Sequence, residues 1–150
     1  MTVALIDTSV FCELLRVPHC CEEPDRYANE FRTRVEAGER FYLPLATILE
    51  TGNHIGQNGD GNQRRATAER FSKMVGDAIA GSAAFLVTNF VDAQGMSGWI
   101  GEFPDWASRG SGLGDLSIHE EWDAMRAKLL GQRIYVWSKD EHLASYDVRT

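Results

Sequence analysis

Four carboxylates in this 150-residue sequence stand where apolar segments break off. Asp7 closes the run Ala4-Leu5-Ile6. Glu50 falls about one turn into "LATILETGNHI", residues 45–55. Asp115 follows the glycine-rich stretch "SRGSGLG", 108–114, and Asp140 follows "RIYVWS", 133–138. An aspartate ending a central parallel strand sits at the carboxyl edge of the sheet, where open α/β folds carry their functional groups. Carboxylates gathered there repel one another and stay ionised only with cations among them. Oxygen ligands select hard ions such as Mg²⁺ or Mn²⁺. Such ions acidify a bound water and neutralise charge on a phosphate under attack, so the chemistry that fits is hydrolysis of a phosphodiester. No Ser, Cys or His constellation offers a competing nucleophile, which leaves water as the attacker.

Each acid alone has a plainer explanation. Asp7, Thr8 or Ser9 is a fitting cap for the helix that follows. Asp115 can cap its own helix, or Ser117 and Glu120 can form a capping box. Asp140 suits a turn, and Glu50 a solvated helix face. The joint placement in four separate segments is what favours chemistry.

The elements that position these acids follow from periodicity. Residues 3–6 form a strand. Val10, Phe11, Leu14 and Leu15 then recur at helical spacing as far as Pro18. Pro24 opens a second helix with the stripe Tyr27, Phe31 and Val35, and Gly38 ends it. A short strand at 40–44 precedes a helix with Leu45, Ile48, Leu49 and Ile55 on one side and Glu50, Asn53 and His54 on the other. Residues 56–62 make a flexible loop. A helix from about 63 to 80 buries Ala68, Phe71, Val75, Ala78 and Ile79 and turns Arg64, Arg65, Arg70 and Lys73 outward. Residues 84–88 suggest a strand. Trp99, Ile100, Phe103 and Trp106 within 89–107 suggest a short helix or a packed loop. Residues 108–114 form a second flexible segment. A helix at about 116–130, opened by Asp115, buries Ile118, Trp122, Met125 and Leu129; the strand 133–138 and a short helix complete the chain. Strands alternating with helices predict an α/β three-layer sandwich with a mainly parallel sheet, one domain over 1–150.

The net charge of −7 argues against a protein that coats nucleic acid. It leaves room for a nuclease whose carboxylates hold cations behind a local basic rim. Arg64, Arg65, Arg70 and Lys73 share one helix face, and Arg109 and Lys139 flank two of the acids; these six are the candidates for contacts to RNA phosphates. Cys12, Cys20 and Cys21 form no disulfide framework, and "HCC" at 19–21 lacks a second ligand pair for zinc. No apolar run approaches the ~18 residues of a membrane span. The first Arg is Arg16, so no basic-plus-apolar signal segment opens the chain, and the expected location is cytoplasmic.

"LIDTS" at 5–9, Glu50 in "LATILETGNHI", Asp115 in "GLGDLSIHEE" and Asp140 in "YVWSKDEHL" together resemble the PIN-domain family of metal-dependent ribonucleases. The resemblance implies a parallel sheet flanked by helices. It implies a pocket in which Asp7, Glu50, Asp115 and Asp140 are both the catalytic and the metal-ligating set for Mg²⁺ or Mn²⁺. Ser9, two residues after the first acid, and Ser138, two before the last, match the family's supporting hydroxyls. The implied activity is endonucleolytic cleavage of single-stranded RNA. Many small bacterial members are toxins of VapC type held by a partner antitoxin; a homodimer is left open. The alternative is a PIN-like module that binds protein or RNA without cutting. A haloacid-dehalogenase phosphatase would need an acid where Ser9 stands, and no P-loop motif occurs.

Overall fold

The computed structural model describes residues 1–149. Strand β1 (Thr2–Ile6) is apolar from Val3 onward and buried on both faces, as the centre of a parallel sheet requires. It pairs in parallel with β2 (Arg40–Leu43) on one side and with β4 (Arg133–Trp137) on the other, in a register that sets Ile6 beside Trp137. Strand β3 (Phe85–Val87) extends the sheet beyond β2 in parallel, and β5 (Asp147–Arg149) lies antiparallel to β4, giving the order β3-β2-β1-β4-β5.

Strand pleating sends alternate residues to opposite layers. Ala4, Ile6, Phe41, Leu43, Phe85, Tyr135 and Trp137 share a core with α1 (Thr8–Leu15), α2 (Pro24–Glu36) and α4 (Gly61–Ala80). Val3, Leu5, Ile134 and Val136 meet α6 (Leu113–Lys128) and α7 (Glu141–Ala144) through Ile118, Trp122 and Leu143. Helix α3 (Leu45–Gln57) contributes to both, Ile55 to the first core and Ala46 to the second. Helix α5 (Ala93–Ser108) packs on α6. The architecture is the expected α/β three-layer sandwich with a mainly parallel sheet. No described helix is long and apolar enough to cross a membrane.

Six details differ from the sequence expectations. Residues 93–108 form a full helix despite an internal Pro104, yet none of its residues is buried. Helix α6 starts at Leu113, with Gly112 at the N-cap, so Asp115 lies in its first turn instead of opening it. Ser117 donates to Gly114 O at 2.7 Å and forms no capping box with Glu120. Leu49 and Ile79, expected inward, are exposed, and β5 was not foreseen. The loop before α4 is shorter than 56–62, because Asp60 and Gln63 close a capping box: each side chain takes the other's backbone N–H at 2.8 Å.

Candidate active site

Where β1 ends, the Asp7 N–H donates to Trp137 O at 3.0 Å and locks the ends of the two central strands together. Asp7 occupies the N-cap position of α1, and its backbone oxygen accepts from Val10 N and Phe11 N. Its side chain caps nothing. Instead Oδ2 accepts from Ser9 Oγ at 2.9 Å and from Ser138 Oγ at 2.7 Å. Each hydroxyl also accepts a backbone N–H from the turn after β4: Ser9 from Lys139 at 3.0 Å, and Ser138 from Asp140 at 2.9 Å. A hydroxyl has one donor and two lone pairs, and here donor and acceptor tie Asp7 to the turn that carries Asp140. Asp140 caps the short helix α7, its Oδ1 accepting from His142 N at 2.9 Å. The turn reading of Asp140 is therefore realised, while the capping reading of Asp7 is not.

Glu50 reaches the same edge from α3. Its Oε2 accepts from Thr8 Oγ1 at 2.9 Å. Its Oε1 lies so close to Gly114 that a Cβ there would collide with it. Gly114 precedes Asp115, so the missing side chain is what lets Glu50 settle beside the first turn of α6.

Asp7, Glu50, Asp115 and Asp140 thus line one cleft of about 360 Å³, together with Thr8, Ser9, Cys12, Cys20, His54 and Leu143. The cleft opens at the carboxyl ends of β1 and β4. From β1 the chain winds outward through β2 to β3 and then returns to β4 on the other side of β1. That reversal is the switch point at which open α/β sheets bind ligands. Among the described residues none of the four acids is in an ion pair. Nor do any three His, Cys, Asp or Glu side chains converge tightly enough to hold an ion as they stand. The donor set itself suits a hard cation: four carboxylates on a shared cleft, two of them on exposed residues with freedom to turn inward.

The basic residues stand elsewhere, and none of the six lines the cleft. Arg64 donates to Gly59 O, Arg65 pairs with Glu69, Arg70 donates to Leu15 O, and Lys73 pairs with Asp77. Arg109 lies over the Trp106 ring. Lys139 pairs with Glu13 and covers the Tyr27 ring.

Glu13 is the site-supporting residue that sequence reasoning missed. It is wholly buried in α1, and besides Lys139 it accepts the backbone N–H of Glu22 at 2.8 Å and of Glu23 at 3.2 Å. Burial opposes its charge, but Lys139 and the two N–H groups together hold its carboxyl below the usual range. The signal was present: a glutamate inside the apolar run "VFCELL". Cys12, on the cleft wall, has its thiol pushed up to about 12, chiefly by burial, and stays protonated. No family model matches the chain, and neither a curated protein nor a solved structure matches it.

Proposed function

We propose that this chain is a metal-dependent endoribonuclease of PIN type that hydrolyses phosphodiester bonds of single-stranded RNA. The observation that carries the reading is the meeting of four carboxylates, from four separate segments, in one cleft at the switch point. Asp7, Glu50, Asp115 and Asp140 would hold Mg²⁺ or Mn²⁺. When bound, the ion supplies an acidified water and neutralises charge on the phosphate. Ser9 and Ser138 both bond one oxygen of the Asp7 carboxylate and leave the other free of them. Cys12 keeps its proton and both serine hydroxyls are bonded to Asp7, which favours water as the attacking group. Water attack that breaks the P–O3′ bond, with the 3′ oxygen leaving and taking up a proton, gives a 5′-phosphate and a 3′-hydroxyl. The reading carries with it a cytoplasmic location and, if the chain is a toxin of VapC type, a partner antitoxin; a homodimer is compatible with it.

The open spacing of the acids favours one other reading, a PIN-like module that binds without cutting. Incubating the purified chain with end-labelled single-stranded RNA separates the two. Cleavage that requires Mn²⁺ or Mg²⁺, stops on chelation and yields 5′-phosphate ends is expected. Cleavage that persists in a chelator, or 2′,3′-cyclic phosphate ends, would show that the RNA's own hydroxyl attacks and would refute the metal mechanism. Metal binding without cleavage would favour the binding module.

Gly114 offers a finer check. In Gly114→Ala the new methyl displaces Glu50 from its place against α6. Alanine is the better helix residue by about 1 kcal/mol, so thermal stability should hold. Affinity for Mn²⁺ should fall by on the order of tenfold, the scale seen when a ligand loses its positioning. Unchanged affinity, measured by titration, would remove Glu50 from the ligand set.

A further inference from the structure

Breaking the P–O3′ bond puts negative charge on the 3′ oxygen, and an alkoxide departs readily only when a proton meets it. Few groups of the cleft can give one. Thr8 donates its proton to Glu50 Oε2, and Ser9 and Ser138 donate theirs to Asp7 Oδ2. The Cys12 thiol, pushed up to about 12, holds its proton too tightly, since an acid works best with a pKa near the operating pH. The four carboxylates hold the proposed cation as anions and have no proton to give. Imidazole is the side chain whose kind exchanges a proton between about pH 5 and 8, and one imidazole lines the cleft, that of His54.

His54 follows Glu50 by four residues on α3, so the two side chains share one helix face. Thr8, Ser9 and Cys12 reach the same cleft from α1, which packs on α3. His54 is an exposed residue, and its ring makes no hydrogen bond and no ion pair among the described residues. Asn58 Nδ2 donates to its backbone oxygen at 2.8 Å and does not engage the ring. The fold therefore makes no use of this imidazole, which stands on the cleft with both nitrogens open to a ligand. The other titratable groups on the lining are Asp7, Glu50, Asp115, Asp140, Cys12 and Cys20; α4, which also packs on α3, adds no charged residue to it.

We propose that His54 is the general acid of the hydrolysis, its imidazolium N–H giving a proton to the 3′ oxygen as the P–O3′ bond breaks. The inference rests on the nuclease reading of the cleft. In the step, the water oxygen bonds to phosphorus and sheds a proton to solvent. The electron pair of the P–O3′ bond stays on the 3′ oxygen, which takes the proton from His54. The neutral imidazole regains a proton from solvent before the next cycle.

His54→Gln separates this role from others. With Mn²⁺ saturating, the variant should cut single-stranded RNA about a hundredfold more slowly than wild type at about pH 6, the contribution of one positioned acid. Its affinity for Mn²⁺ and its circular dichroism should match wild type. The ratio of wild-type to variant rate should shrink as pH rises from about 6 to about 9, because imidazole loses its proton. The decisive substrate carries sulfur in place of the bridging 3′ oxygen, on a 2′-deoxy nucleotide at the linkage that wild type cuts, so that the RNA's own hydroxyl takes no part. A thiolate leaves without a proton, so His54→Gln should cut this linkage at nearly the wild-type rate and keep its deficit on the oxygen-bridged 2′-deoxy control. Equal deficits on both linkages would assign His54 to holding the strand, and a loss of Mn²⁺ affinity would assign it to the cation site. An undiminished rate on the oxygen linkage would leave it no part in cleavage. Each of these overturns the proposal while wild-type cleavage keeps the nuclease reading standing; wild type that cuts no RNA, or none at a 2′-deoxy linkage, removes both.

Discussion

Asp7→Asn should abolish RNA cleavage, by at least about a hundredfold in single-turnover rate, the scale of loss when a positioned charge leaves a transition state. The variant should remain folded. Asparagine keeps one oxygen, and that oxygen can take the Ser9 and Ser138 hydroxyls that now bond Oδ2. Its NH₂ group then takes the place of the other oxygen and cannot ligate a cation. Removing one of four like charges also relieves repulsion, so the melting temperature should hold or rise. Cleavage by Asp7→Asn at the wild-type rate, with the fold intact, would sink the assignment of the cleft as the active site.

The largest loss of stability should come from a residue with no direct role in the chemistry. Glu13→Ala should cost about 3 kcal/mol at neutral pH, the lower end for removing one member of a buried ion pair. The lower end applies because Lys139, whose side chain is 30% exposed, can turn its ammonium to water. The Glu22 and Glu23 N–H groups lose their acceptor in the same step. The pH dependence follows from the lowered carboxyl pKa. A carboxylate whose folded pKa is depressed contributes stability above its unfolded value of 4.5, and that stability is lost as pH falls through the folded value. The gap between wild type and Glu13→Ala in urea denaturation should therefore narrow from pH 7 to pH 3. An equal gap at both would assign Glu13 to packing alone.

How far these features were legible in the sequence depended on how strongly each segment is buried. Strands β1 and β4 are nearly continuous apolar runs, because helices cover both of their faces. Their ends, and with them Asp7, Ser9, Ser138 and Asp140, could be read directly. Helix α5 was ambiguous because none of its residues is buried, so no core imposes a period on it. Strand β5 is three residues long at the sheet edge, with two of them exposed. The glycines before Asp115 read as a flexible segment, yet Gly114 is helical, and the Glu50 carboxylate lies where a Cβ there would stand. Leu49 was placed inward by spacing, but it borders a surface cavity with Leu45, Met96, Trp99 and Leu113, which extends the apolar stripe of α3 beyond the core. Glu13 and Glu121, both buried, escaped notice for a shared reason. Periodicity marks where apolar residues go inward and says nothing of a carboxylate that goes with them.

The serine bridge at Asp7 joins residues 131 positions apart. During synthesis, β1 leaves the ribosome with only β2 to pair with later, and its other side stays bare until β4 emerges. The acid cleft therefore cannot exist on a nascent chain that stops short of β4: Ser138 and Asp140 are still inside the exit tunnel or not yet made. Strand pairing over so long a separation is also slow to form. On the reading proposed above, the cleft is thereby kept from assembling beside the message until β4 has been made and has left the tunnel.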